Sequence, residues 1–280
     1  MPFLKGLAET GFVVGQNVAI DYRFSEGSES QLPQLAADLV GRQVAILVAT
    51  SRPAAMAAKA ATAHIPIVFT SGEDPVSIGL VASLNHPGGN ATGVSLFTTE
   101  LGPKRLGLLR ELLPKPGLIA FVVDPNNAST PLQIKDMQAA AKTVGQPLLV
   151  LNAGNESEID AAFATMTRQR VSAVLYGAST SFQVVSDRLI ALAARQSIPA
   201  LYEWREFVGA GGLMSYSTSV AESGLQIGIY AGQILKGAKP ADLPVVQSSR
   251  FEFVINLKTA KALGLVIPPT LLARTDEVIE

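Results

Sequence analysis

Short apolar runs alternate along this chain with longer stretches whose apolar residues recur every three or four positions. The runs are "VAILVAT" (44–50), "IPIVFTSG" (65–72), "LIAFVVDP" (118–125), "PLLVLN" (147–152), "SAVLYG" (172–177) and "PALYE" (199–203). Each is continuous rather than alternating and most end in polar residues, which predicts strands buried on both faces. Helical spacing fills the gaps: "FLKGLAET" with Gly11 as its stop, a helix from Ser30 to Val40, "PAAMAAKAATAH", "LGPKRLGLLRELLP", "LQIKDMQAAAKTVG", "ESEIDAAFATMTRQ" and "QVVSDRLIALAARQ". In the fourth of these, Leu106, Leu109, Leu112 and Leu113 face inward. This β-α-β rhythm predicts an α/β fold with parallel sheets covered by helices. "NVAIDYRF" (17–24) alternates, with Val18, Ile20 and Tyr22 on one side, and predicts one further strand; Val94 to Phe97 predicts another.

The rhythm runs through two similar series, which predicts two lobes of the same kind. After Gly211 it changes. "GGLMSYS" reads as a strand, "AESGLQIGIYAGQILKG" as a long helix, and "FEFVINLKTAKALGL" as a strand and a helix capped near Asn256. These pieces follow the second series, so the chain crosses between lobes more than once. Strand ends at such junctions are where α/β folds hold ligands.

Composition narrows the function. Of 280 residues, 48% are hydrophobic and 16% charged, enough to bury sizeable cores and too apolar for disorder. A net charge of −1 without a basic face argues against nucleic acid and against binding to a membrane surface. There is no cysteine, so disulfides, thiolate metal sites and thiol nucleophiles are excluded. The two histidines, His64 and His86, are too far apart in sequence to build a zinc site unaided. No P-loop, GxGxxG, HExxH or GxSxG pattern occurs, and no cofactor is expected.

The best chemistry lies in polar loops after the strands: Thr50, Ser51 and Arg52; Ser71, Gly72, Glu73 and Asp74; Asp124 and Asn126; Gly177, Ser179 and Thr180; Glu203, Trp204 and Arg205. Ser95 joins them near the end of its strand. Hydroxyls, amides and helix N-termini suit a small zwitterion, with an acid for its ammonium. Ser51, Ser71, Glu73, Asp124 and Ser179 are the leading contacts, with Trp204, the only tryptophan, as a wall. Each loop also has a plainer reading. Asp74 and Asp124 each precede a proline and could cap the next helix, and Trp204 could be a core residue. "HPGGN" (86–90) reads as a tight turn into the last strand of the first lobe, not as a phosphate cradle, because a strand follows it.

Eight ordered stretches resemble the ABC-transporter substrate-binding proteins of the tryptophan- and tyrosine-type amino-acid binders. They are "GLAETGFVVGQNVAIDYR", "LPQLAADLV", "IPIVF" with "DPV", "GLVASLNHPGGNATGVS", "REFVGAGGLMSY", "ILKGAKPADLPV" and "FVINLKTAKALGLVIP". The resemblance implies the type I periplasmic-binding-protein architecture, with two Rossmann-like lobes joined by three crossings. Residues 1–96 plus 217–249 would form one lobe, and 97–216 plus 250–280 the other. It implies a non-catalytic receptor that captures a small solute by hinge closure, works with an ABC permease, and is exported to the periplasm or cell surface. Members of this family carry an export signal and a first strand ahead of the helix matching "FLKGLAET", and neither is found in this sequence. The rival readings are an α/β enzyme using Asp74 or Asp124 as base, and the effector domain of a transcription regulator, which would carry a basic helix-turn-helix segment.

Overall fold

The computed structural model describes residues 1–26, 28–113 and 117–280. In chain order the elements are α1 (Pro2–Glu9), α2 (Leu32–Gly41), β1 (Leu47–Ala49), α3 (Arg52–Ala61), β2 (Ile67–Ser71), β3 (Ala91–Ser95) and α4 (Gly102–Leu112). There follow β4 (Ile119–Val123), α5 (Thr130–Thr143), β5 (Leu148–Asn152), α6 (Glu156–Arg168), β6 (Ala173–Tyr176), α7 (Thr180–Val184), α8 (Ser186–Arg195), β7 (Ala200–Tyr202) and α9 (Arg205–Gly209). The chain closes with β8 (Met214–Thr218), α10 (Val220–Leu235), β9 (Val246–Gln247), β10 (Phe251–Asn256), α11 (Leu257–Ala262), α12 (Pro269–Leu272) and β11 (Glu277–Ile279).

These elements form two compact units. Unit 1 is Met1–Phe97 with Thr218–Arg250, and unit 2 is Thr98–Ser217 with Phe251–Glu280. The chain therefore passes from one to the other at 97–98, 217–218 and 250–251.

Unit 1 is built on a four-stranded parallel sheet in the order β1-β2-β3-β9. Its two faces are separated by the strand period of two. Ile67 and Phe69 point into a core with Leu47, Ala55 and Leu80, while Val68 packs with Val94, Ile227 and Tyr230 on the other side. Burying a side chain the size of Phe69 is worth about 1.5–3 kcal/mol. The second face is covered by α10, which packs along α1 through glycines. A Cβ on Gly6 would collide with the Leu225 carbonyl, one on Gly228 with the Phe3 carbonyl, and one on Gly232 with the Thr10 hydroxyl.

Unit 2 holds a seven-stranded sheet in the order β11-β10-β8-β7-β6-β4-β5. β4, β6 and β7 are buried throughout, as their continuous apolar runs require. Leu106, Leu109 and Leu112 of α4 enter its core with Phe121, Met137, Leu175 and Phe253. Leu113 packs only partly, and Leu108 and Arg105 are buried beside them. Pro114, the last residue of the expected fourth helix, lies outside the described residues.

Several expectations change. "NVAIDYRF" forms no sheet strand; only an isolated bridge joins Val14 and Val18. Its alternation could be satisfied only by a neighbouring strand, and among the described residues β1 pairs with β2 alone. Tyr22 and Phe24 are exposed and stack on each other, and Arg23 is tied to Asp38 at 2.6 Å. β3 runs from Ala91 to Ser95, starting and ending earlier than expected, and is not the last strand of unit 1, because β9 follows later in the chain and pairs with it. The helix expected from 183 to 196 is two helices, α7 and α8, meeting at Val185. Neither Asp74 nor Asp124 caps a helix. Each closes a local turn instead, accepting the Val76 N–H at 3.0 Å and the Asn126 N–H at 2.9 Å.

Candidate functional site

The strand-end residues fall into one group in each unit. In unit 1, Ser51 ends the loop after β1 and caps α3, its Oγ accepting the Ala54 N–H at 3.4 Å. Thr50 beside it is exposed. Arg52, the first residue of α3, reaches across to Glu73, with Nη1 3.3 Å from Oε1. Ser71 ends β2, fully buried, and its Oγ donates to the Glu73 carbonyl at 3.0 Å. Gly72 and Asp74 flank Glu73 in the same half-buried turn. Ser95 lies opposite Ser71 in the strand register, and its buried Oγ has no hydrogen-bond partner. Glu73 is thus a carboxylate already met by a guanidinium.

In unit 2 the arrangement differs. Asp124 follows β4 and is only 7% exposed. Its Oδ2 accepts the Ser181 hydroxyl at 2.7 Å and the Ser179 hydroxyl at 3.1 Å, and its Oδ1 accepts the Asn126 N–H. Among the described residues no Lys, Arg or His nitrogen comes within ion-pair distance of it. Asn126 itself and Thr180 are exposed. Ser179 caps α7, which aims Ser181 back at the acid from the helix's first turn.

Two amides hold this loop still. Gln133 Oε1 accepts the Ala178 N–H at 2.7 Å, and its Nε2 donates to the Ala178 carbonyl at 3.0 Å and to Ser129 Oγ at 2.8 Å. Asn127 Nδ2 donates to the same carbonyl at 2.9 Å. Gly177 is a glycine because a Cβ there would come within 2.9 Å of Gln133 Oε1. Glu203 and Trp204 follow β7, both buried, with Trp204 at the N-cap of α9. Arg205 points away on the surface to Glu277 and Glu252. Behind this edge Tyr176, Tyr202 and Phe207 form a ring stack with centroids 5.2 and 4.8 Å apart. Burial pushes the Tyr176 and Tyr202 phenols well above their ordinary range.

Ser181, Gln133, Asn127 and Arg105 escape sequence reasoning. Ser181 sits two residues inside a helix whose start is not marked by any apolar period, and the others lie on helical or turn stretches that read as scaffold. The one available signal was the hydroxyl-rich "ASTS" after β6. Among the described residues, no group of three or more His, Asp or Glu side chains gathers to hold a metal ion. No described helix is long and apolar enough to cross a membrane.

The comparisons with known proteins agree with this architecture. The tyrosine-binding protein of Clostridioides difficile (strain R20291) is 28% identical over 264 residues, covering 94% of this chain and 75% of that protein. A crystal structure of a conserved domain protein from Vibrio cholerae superposes with a TM-score of 0.89 at 28% identity, covering 99% of this chain and 93% of that one. The L-Trp complex of an ABC domain from Streptococcus pneumonia gives 0.87 at 28% identity, with 99% and 94% covered. The fold is that of the type I periplasmic binding proteins, as the resemblance implied. The profile described as ABC transporter substrate binding protein matches residues 2–279, so the chain belongs to that family, the substrate-binding components that present small solutes to ABC transporters.

Proposed function

We propose that this chain captures an amino acid or a related ammonium-bearing solute, acts without catalysis, and presents its ligand to a permease outside the cytoplasmic membrane. The observation that carries the reading is Asp124, a carboxylate 7% exposed whose partners among the described residues are neutral donors. A buried carboxylate without a counter-charge is costly, and a ligand ammonium supplies one. The hydroxyls of Ser179 and Ser181 fix the acid's orientation, so little side-chain ordering remains to be done on binding. Relatives named for L-Trp and tyrosine favour the same ligand class. Ser51, Ser71, Glu73 and Trp204 are secondary candidates for contact.

The test is thermal shift with L-tyrosine and L-tryptophan against their deaminated analogues, 3-(4-hydroxyphenyl)propionate and 3-indolepropionate. A ligand at 100 times its dissociation constant stabilises by about 2.7 kcal/mol, a shift of several degrees. The expected result is a shift with one or both amino acids and none with the analogues. Equal shifts with both kinds would remove the ammonium from the reading.

A further inference from the structure

Among the described residues Arg105 is the largest fully buried side chain, 2% exposed, on a helix whose other buried residues are leucines. Desolvating a guanidinium is expensive, and a nearby negative charge offsets part of that cost. Its Nε donates to the Tyr216 carbonyl at 2.8 Å, near the end of β8, and its Nη2 is buried without a hydrogen-bond partner. The register of the sheet then identifies the beneficiary. β7 runs parallel to β8 with Leu201 opposite Met214 and Tyr202 opposite Ser215. Glu203 is the next residue after β7, just as Tyr216, the residue Arg105 holds, is the next along β8, and the charge of Glu203 acts on the Arg105 guanidinium. Glu203 is itself only 6% exposed and directly precedes Trp204. The same Tyr216 ring stacks on Phe251 at 5.8 Å, so the arginine also steadies the edge where β8 meets β10.

We propose that Arg105 is a positioning residue of the unit 2 site, its buried guanidinium, held on the Tyr216 carbonyl, placing a positive charge beside the buried Glu203 carboxylate and so fixing the loop that carries Trp204. The charge of Glu203 in turn favours the protonated guanidinium, offsetting the burial that works against it. Two acids at the ends of this sheet are thereby given different work. Glu203 is matched from within and shapes the loop, whereas Asp124 faces a ligand with its charge unmet. The inference rests on the proposed function only for calling this edge a binding site.

Its test needs no ligand, because Trp204 is the only tryptophan and reports on the loop directly. Melting temperature and tryptophan emission are compared for wild type, Arg105→Met, Arg105→Lys, Glu203→Gln and the Met/Gln double variant. Arg105→Met is expected to lower the melting temperature by roughly 6 °C or more and to red-shift the emission. Arg105→Lys should restore most of both, and adding Glu203→Gln to Arg105→Met should recover part of the loss, because the stranded charge is gone. Additive losses in the double variant, or an emission spectrum indifferent to Arg105→Met, would overturn the assignment. If Arg105→Met does not fold, the double variant decides: folded supports the pairing, unfolded refutes it. A failed ligand screen would count against the proposed function and leave these readings unaffected.

Discussion

The Ser181 hydroxyl approaches Asp124 more closely than the Ser179 hydroxyl does, 2.7 against 3.1 Å on the same oxygen. The order follows from the helix start. Ser179 divides its oxygen between capping α7, the acid and the Ser181 hydroxyl 2.9 Å away, whereas Ser181 meets only the acid and Ser179 through its own hydroxyl. The carboxylate is therefore fixed by two hydroxyls of unequal commitment, and both leave its charge unneutralised.

Asp124→Asn keeps the shape and most hydrogen bonds while removing the charge. It is expected to weaken an ammonium-bearing ligand by tenfold or more, a loss of at least about 1.4 kcal/mol in calorimetry. Ser181→Ala should cost less, and Ser179→Ala should also loosen α7. An Asp124→Asn protein with wild-type affinity would shift the ammonium contact elsewhere.

Glu73 looks in sequence like an equally good partner for an ammonium. Its carboxylate is engaged by Arg52 at 3.3 Å, so a ligand would have to compete with a guanidinium. Glu73→Gln is accordingly expected to change affinity by less than about tenfold. A larger loss in the same titration would make unit 1 the source of the ammonium contact.

The α1–α10 seam should tolerate no added methyl. Gly228→Ala forces a Cβ against the Phe3 carbonyl, backbone against backbone, and is expected to destabilise by about 1–3 kcal/mol in urea unfolding. Gly107→Ala, where a Cβ meets nothing within 4 Å, is the control and should be neutral or slightly stabilising.

Alkaline stability gives a separate handle on the aromatic stack. Tyr202 is held neutral by burial, with its folded pKa raised above the ordinary 10.0. Its contribution is complete below about pH 10 and is lost as pH rises beyond it, because the unfolded chain ionises first. Unfolding free energy should therefore fall above pH 10, by up to about 1.4 kcal/mol per pH unit for each such tyrosine. Tyr202→Phe should flatten that slope, as read from denaturant titrations between pH 9 and 11.

The parallel strands and their helices were legible because buried runs such as "LIAFVVDP" and "SAVLYG" carry their own signal in apolar continuity. "NVAIDYRF" misled because alternation records a side-chain pattern and says nothing of whether a neighbouring backbone exists to pair with. β9 and β11 are two and three residues long, too short for any period to register. At the site, Asp124 and Ser179 were visible as polar residues after strands. The charge balance that separates Asp124 from Glu73 was not, since it depends on Arg52, which is 21 residues away in sequence from the acid it meets. Glycine spacing in "GLQIGIYAG" was present in plain view, but only the approach of α1 gives it meaning.

That approach has a consequence for the order in which the molecule can be made. The first helix packs against residues 220–235, and β9 completes the sheet of unit 1 from later still. A chain emerging from the ribosome must therefore hold the apolar face of α1 without its α10 partner while the whole first segment of unit 2 is synthesised. Unit 1 is bound to be a high-contact-order, late-closing fold, and whatever shields that face in the interval becomes part of how the protein reaches its working form.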